Sequence, residues 1–199
     1  MNNALPSIDR PNRLRKLLAW LAFTLALAAV LHFIIIWRIP AFATNRTVEG
    51  IFARKKTREF NRLFHNDLTY AGRDLVVMTN GDMKTSIAMY DVSEKPVRIH
   101  CVVPNTENYW SISLYAWNTD NFYVRNDRNA PAREFDLVIV KPNAKYQKQG
   151  NEEVVVSPTE KGVALMRYIL SNRNDQEEIN FITAEQNKSF AQVVETENY

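Results

Sequence analysis

Residues 17–37, LLAWLAFTLALAAVLHFIIIW, run without a charged side chain. At about 1.5 Å of rise per helical residue such a run spans roughly 30 Å, the thickness of a bilayer hydrocarbon core. No polar face exists at any 3.6-residue phase, which argues against a core helix of a soluble domain. A cleaved signal has a shorter apolar core, about 7–15 residues. Ala41-Phe42-Ala43 offers a small-x-small cleavage site, but Trp37, Arg38 and Pro40 intervene. The pattern predicts an uncleaved transmembrane helix over 17–37, preceded by a tail, residues 1–16, whose first nine positions are polar and unpatterned. Trp20 and Trp37 stand near its two ends, where interfacial aromatics belong.

Beyond the span the rhythm changes. Val48, Ile51, Phe52, Phe60, Leu63 and Phe64 recur at spacings near three and four, which predicts an amphipathic helix over 44–66 within a juxtamembrane connector, 38–69. Gly50 is the place where that helix would break. From residue 71 to 156 the period becomes two. DLVVMT (74–79), TSIAMYDV (85–92), VRIHCVV (97–103), YWSISLYAW (109–117), FDLVIVK (135–141) and EEVVVS (152–157) read as strands, with turn residues such as Asn80-Gly81-Asp82 and Asn118–Asn121 between them. Short strands at near-regular spacing predict an antiparallel sheet or sandwich. Pro158-Thr159-Glu160 then reads as a helix start, with Val163, Leu165, Met166, Ile169 and Leu170 as its apolar stripe. A second helix, capped by Asn174 or Asp175, carries Ile179, Phe181 and Ile182, and residues 188–199 read as a polar tail. The fold class is α+β: an N-terminal transmembrane helix, a juxtamembrane helix, a β-rich domain over 70–187 and C-terminal helices.

Charge adds an orientation. Arg10, Arg13, Arg15 and Lys16 precede the span, and only Arg38 follows it closely. The positive-inside rule predicts a cytoplasmic N-terminus and an exported C-terminal domain on a single-pass membrane protein. The formal net charge of +3 owes much to that cluster and does not argue for nucleic acid as a partner. Arg54–Arg58, RKKTR, reads either as a solvated helix face or as a contact with anionic membrane lipids. Cys101 is the single cysteine, so no intramolecular disulfide can form.

Recognisable chemistry is sparse. The chain has five glycines and no phosphate-cradling loop, no G-x-S-x-G elbow and no Cys or His pair at metal-ligand spacing. His32, His65 and His100 fall in three different elements. No cofactor is expected, and a non-enzymatic role is favoured over an enzyme whose pocket would be lined by Asn80, Asp82 and Arg167. Asn80 and Asp82 bracket Gly81 and make a hairpin turn in the simpler reading. Arg167, placed on the 160–170 helix, makes an ion pair in the simpler reading. The stretch NYWSISLYAWNTDNF is the most telling. Trp110, Ile112, Leu114 and Ala116 share one strand face, and Tyr109, Ser111, Ser113, Tyr115 and Trp117 share the other. The first is a core face. The second is apolar area with polar handles, which suits a pocket wall, a covering helix or a protein interface, with core packing as the simpler reading.

The ordered set NGD, YDVSEKPVRIHCVVP, NYWSISLYAWNTDNF, DLVIVKP and VVVSPTEKGVALMRYIL resembles the bacterial domain of unknown function 1254 family. The matching positions are Asn80, Asp82, Tyr90, Asp91, Pro96, Pro104, Tyr109, Trp110, Tyr115, Asn121, Pro142, Pro158, Thr159 and Arg167. The family often has Asp where this chain has Ala116, and Gly where it has Lys141. The resemblance implies no established reaction. It implies that a short, membrane-anchored member is similar to one half of a longer two-domain architecture. The other half resembles the domain of unknown function 1214 family, so a separate companion protein of that type is the implied partner.

Overall fold

The computed structural model describes residues 10–68 and 80–196 and divides the chain into two units, Met1–Phe42 and Ala43–Tyr199. The expectations for residues 1–9 and for a strand at 74–79 fall outside the described residues. The first unit consists of the greater part of helix α1 (Arg10–Lys55). Its apolar side chains are exposed: Leu17, Phe33 and Trp37 are 67%, 71% and 78% accessible. This is the one helix among the described residues that is long and apolar enough to cross a membrane. It runs through Pro40 and Gly50 without the expected break.

The second unit is α+β. Among the described residues nine strands follow α1: β1 (Arg62–His65), β2 (Met83–Asp91), β3 (Val97–Val102), β4 (Trp110–Ala116), β5 (Asn121–Asn126), β6 (Glu134–Val140), β7 (Glu153–Val156), β8 (Lys161–Ile169) and β9 (Phe190–Val193), with α2 (Gln176–Lys188) before the last. They form two sheets, here called A and B. Sheet A has the order β1-β2-β8-β4-β5, and sheet B the order β7-β6-β3-β9. Sheet A is antiparallel throughout. Sheet B contains one parallel pair, β6 with β7, joined by residues 141–152, about the dozen that a parallel crossover needs.

One core lies between the sheets. Ala88, Tyr90, Trp110, Ile112, Leu114, Ala164, Met166 and Tyr168 enter from sheet A. Val97, Ile99, Cys101, Phe135, Leu137 and Ile139 enter from sheet B, and Ile182 closes it from α2. Each large apolar side chain buried this fully contributes roughly 1.5–3 kcal/mol. Gly162 sits where Tyr90 crosses beneath β8. A Cβ there would lie 2.0 Å from the Tyr90 hydroxyl and 2.4 Å from the Tyr115 carbonyl oxygen. A second, smaller cluster lies on the outer face of sheet A, where Val48 and Phe52 of α1 pack on Met89.

Three expectations need correction. The helix read over 44–66 ends at Lys55, and Arg62–His65 is strand. Lys56 takes φ 52° and stops the helix. Asn61, at φ 62°, grips the Asp91 backbone with its side-chain amide, donating to Asp91 O (3.0 Å) and accepting from Asp91 N (2.7 Å). That clamp starts β1 alongside β2. The helix read over 160–170 is β8, the central strand of sheet A. Thr159 is no helix cap: its hydroxyl accepts from Trp117 N and donates to Lys161 O. One C-terminal helix remains, α2, capped by Asp175, whose carboxylate accepts from Glu177 N and Glu178 N. The polar tail begins with β9, which pairs with β3.

Candidate functional site

The aromatic stretch is the first strand of a hairpin. After β4, Ala116 N donates to Asp120 O, Thr119 takes φ 74°, and β5 returns beside β4. The abrupt polar turn after the most aromatic strand is therefore the reversal itself. Trp110, Ile112 and Leu114 point into the core. The register places Ser111 opposite Arg167 and Ser113 opposite Leu165 on the outer face.

Arg167 thus stands on the central strand, half-buried, and not on a helix. Its guanidinium reaches along β4. One amino group donates to Ser113 Oγ at 3.0 Å and the other to Tyr115 Oη at 2.9 Å. The side chain covers the serines, which are 0% and 2% exposed. Ser111 Oγ, opposite Arg167, is buried without a hydrogen-bond partner among the described residues. A guanidinium carries five N–H donors. Here its protein partners are neutral hydroxyls, and no carboxylate pairs with it among the described residues.

The other predicted positions spread along the sheet. Trp117 lies beyond the far end of β4 and is partly used by the fold itself. Its indole packs in the cluster under α1, and Nε1 donates to Asn45 at 3.1 Å. Tyr109, 44% exposed, stands at the opposite end, where its carbonyl accepts from Ile169 N. Asn80-Gly81-Asp82 is a turn into β2, with Asn80 Oδ1 accepting from Asp82 N at 3.0 Å. Arg167 pairs in register with Thr85, three residues along β2 from Asp82, or about 10 Å at strand rise. Among the described residues no hydrogen bond or ion pair links the turn to the arginine. The structure does bring together Arg167, Ser113 and Tyr115.

The outer face of sheet B carries a cluster that the sequence reading missed. Arg98 donates to Glu152 at 3.1 Å and lies 3.7 Å from Asp136. His100 Nδ1 is 2.8 Å from Asp136 Oδ1, and its ring stacks on Phe190. Glu152 is buried and also accepts from Tyr146 Oη (2.6 Å) and Gln149 N (2.7 Å). Burial alone would raise its pKa. The Gln149 and Tyr146 hydrogen bonds and the Arg98 charge outweigh that and hold it below the ordinary carboxylate value. Arg98 and His100 two apart in one strand signalled a shared face, but Glu152 comes from a loop that only the fold brings over.

Other charged groups are likewise internally matched. Lys55 donates to His65 O, and Arg58 pairs with Glu49 at 2.7 Å, so part of the RKKTR run is tied into the domain. A cleft of about 520 Å³ beside Phe60, Asn61 and Asp91 is edged by the Lys95–Glu195 pair. Cys101 is buried and unpaired in the core. Among the described residues no three His, Cys, Asp or Glu side chains group to hold a metal ion.

The model of the family described as Protein of unknown function (DUF1254) matches residues 60–191. No curated protein matches the chain. Among solved structures, a Vibrio parahaemolyticus protein from a structural-genomics programme is similar with a TM-score of 0.63 at 12% identity, over 80% of this chain and 36% of its own. An uncharacterized protein from Burkholderia cenocepacia aligns with a TM-score of 0.40 at 12% identity, over 57% of this chain and 33% of its own. The chain therefore spans about a third of the length of these two structures.

Proposed function

The chain belongs to the DUF1254 family, and from that premise we propose that it is a membrane-anchored, non-catalytic binding subunit. In this reading residues 17–37 anchor it once in the inner membrane, the N-terminal basic cluster holds that end in the cytoplasm, and the β-domain faces the periplasm. The domain pairs there with a separate companion, of the domain of unknown function 1214 type, through the outer face of sheet A. The observation that carries this reading is the state of that face. Val48 and Phe52 cover one part of it. The other part presents Tyr109, Tyr115, Val124 and Arg167 with no covering element among the described residues. An aromatic, half-apolar sheet face holding an arginine has the composition of an interface core.

Two experiments test it. Alkaline phosphatase fused after Tyr199 is active if the domain is exported; activity of a green fluorescent protein fusion alone reverses the topology. Companion protein co-purified with the detergent-solubilised chain is lost in Tyr109→Ala with little change in melting temperature. Retention equal to wild type removes this face from the interface. Trp117→Ala is the control, because its indole serves the packing under α1 and its loss lowers the melting temperature.

A further inference from the structure

Among the described residues three strand arginines are half-buried, and two of them are matched by carboxylates. Arg98 lies against Glu152 and Asp136, and Arg125 grips Glu153 with two hydrogen bonds of 3.1 and 2.5 Å. Charged side chains elsewhere on the outer face of sheet A are also paired: Arg62 with Glu59 at 2.7 Å, and Lys161 with Asp91 at 3.4 Å. Arg167 departs from this rule. Among the described residues it has two hydroxyl partners and no acid, beside a buried Ser111 Oγ that has no partner.

We infer that Arg167 is the seat for an aspartate or glutamate side chain brought by a separate protein. This rests on the docking reading above and names the chemistry of its central contact. Ser113 and Tyr115 fix the guanidinium from one side and leave its remaining N–H donors for a carboxylate, the planar partner that its fork fits. The surroundings favour a protein over a small ligand. The serines beneath are closed over, so an incoming group meets the arginine from the sheet face and not from among the serines. Leu165 and Ile169 flank the arginine along β8, and Val124 is 42% exposed on β5, which gives the apolar border that excludes water around a charged contact.

The test uses the full chain in detergent, with arginine Nε–Hε signals followed by ¹⁵N NMR. The probe is N-acetyl-glutamate methylamide, a capped glutamate side chain. Its glutamine counterpart and inorganic phosphate are the comparators. The expected result is a saturable shift of the Arg167 signal, assigned by its loss in Arg167→Lys, at a probe concentration at least ten-fold below that which moves exposed Arg128. The glutamine counterpart leaves it unmoved. Tyr115→Phe weakens the response several-fold without changing the melting temperature, which a packing role alone would not do. Arg167 and Arg128 responding together, an equal response to the glutamine compound, or a stronger response to phosphate each overturns the assignment. So does self-association of the chain that Arg167→Gln abolishes, because the occupant is then a second copy. Failure here leaves the docking surface standing, since Tyr109→Ala tests that separately. Loss of the docking surface leaves the Arg167 response to be read by itself.

Discussion

Each sheet places an arginine on the outer face of an inner strand, and the two are resolved in opposite ways. On sheet B, Arg98 is enclosed by Glu152 and Asp136, with Tyr146, Gln149 N and His100 completing the network. Every charge there is answered from within the chain. On sheet A, Arg167 is steadied by Ser113 and Tyr115 and answered by no carboxylate among the described residues. The difference separates structure from availability. A closed network spends its charge on fixing a loop over a sheet. A guanidinium held by neutral hydroxyls is positioned without being neutralised.

The comparison breaks most sharply at Glu152. Glu152→Ala leaves Arg98 without its closest acid and unties residues 146–152. Removing one member of a buried pair costs about 3 kcal/mol when the partner keeps some solvent contact, which denaturant unfolding of the detergent-solubilised chain would measure. A loss below ~1 kcal/mol would mean that Asp136 alone holds Arg98. Gly162→Ala comes next. Its Cβ meets the Tyr90 ring and the Tyr115 carbonyl, so β8 must move away from β4, at about 2 kcal/mol on the scale of overpacked cores. The proposed docking face is built on those two strands, so retention of the proposed companion should fall together with stability in this variant. Arg167→Gln should cost about 1 kcal/mol, because it weakens two hydroxyl contacts and removes a charge with no carboxylate partner among the described residues. A loss as large as that of Glu152→Ala would place Arg167 in the structural class and end the contrast.

The smallest effect is a slope with pH. Burial first, then the nearby Lys55 and Lys84 charges, hold the His65 pKa below its ordinary value, against a raising hydrogen bond. The unfolded chain therefore binds this proton more readily than the folded one. Stability contributed by neutral His65 is complete above about pH 6.5 and declines as pH falls below it. Glu152 adds a further decline at lower pH, as the solution passes below the ordinary carboxylate range towards its depressed folded value. Melting temperatures of His65→Asn should be flatter between pH 7 and 5 than those of the parent chain, with the acid-side decline unchanged. An identical slope would remove His65 from the account.

Some features were legible because they are local. The uncharged run at 17–37 needs nothing beyond its own length to mark a helix that can span a bilayer. The two faces of β4 follow from period-two alternation, and α2 from its Asp175 cap and apolar stripe. Four features were decided by tertiary structure. β8 carries apolar residues on both faces: Ala164 and Met166 point into the core, and Val163, Leu165 and Ile169 lie half-buried on the outer face. With apolar residues on both faces the sequence loses its apolar–polar alternation, and a short apolar run then reads equally well as helix. β1 depends on Asn61 gripping Asp91, thirty residues away in sequence. β9 has little strand character of its own and forms because the edge of β3 offers it hydrogen bonds. The two arginines, finally, look alike as residues in apolar strands. Only the approach of residues 146–152 to Arg98, and of two hydroxyls to Arg167, makes one a structural tie and leaves the other open, because a charge is matched by what lies near it in space and not along the chain.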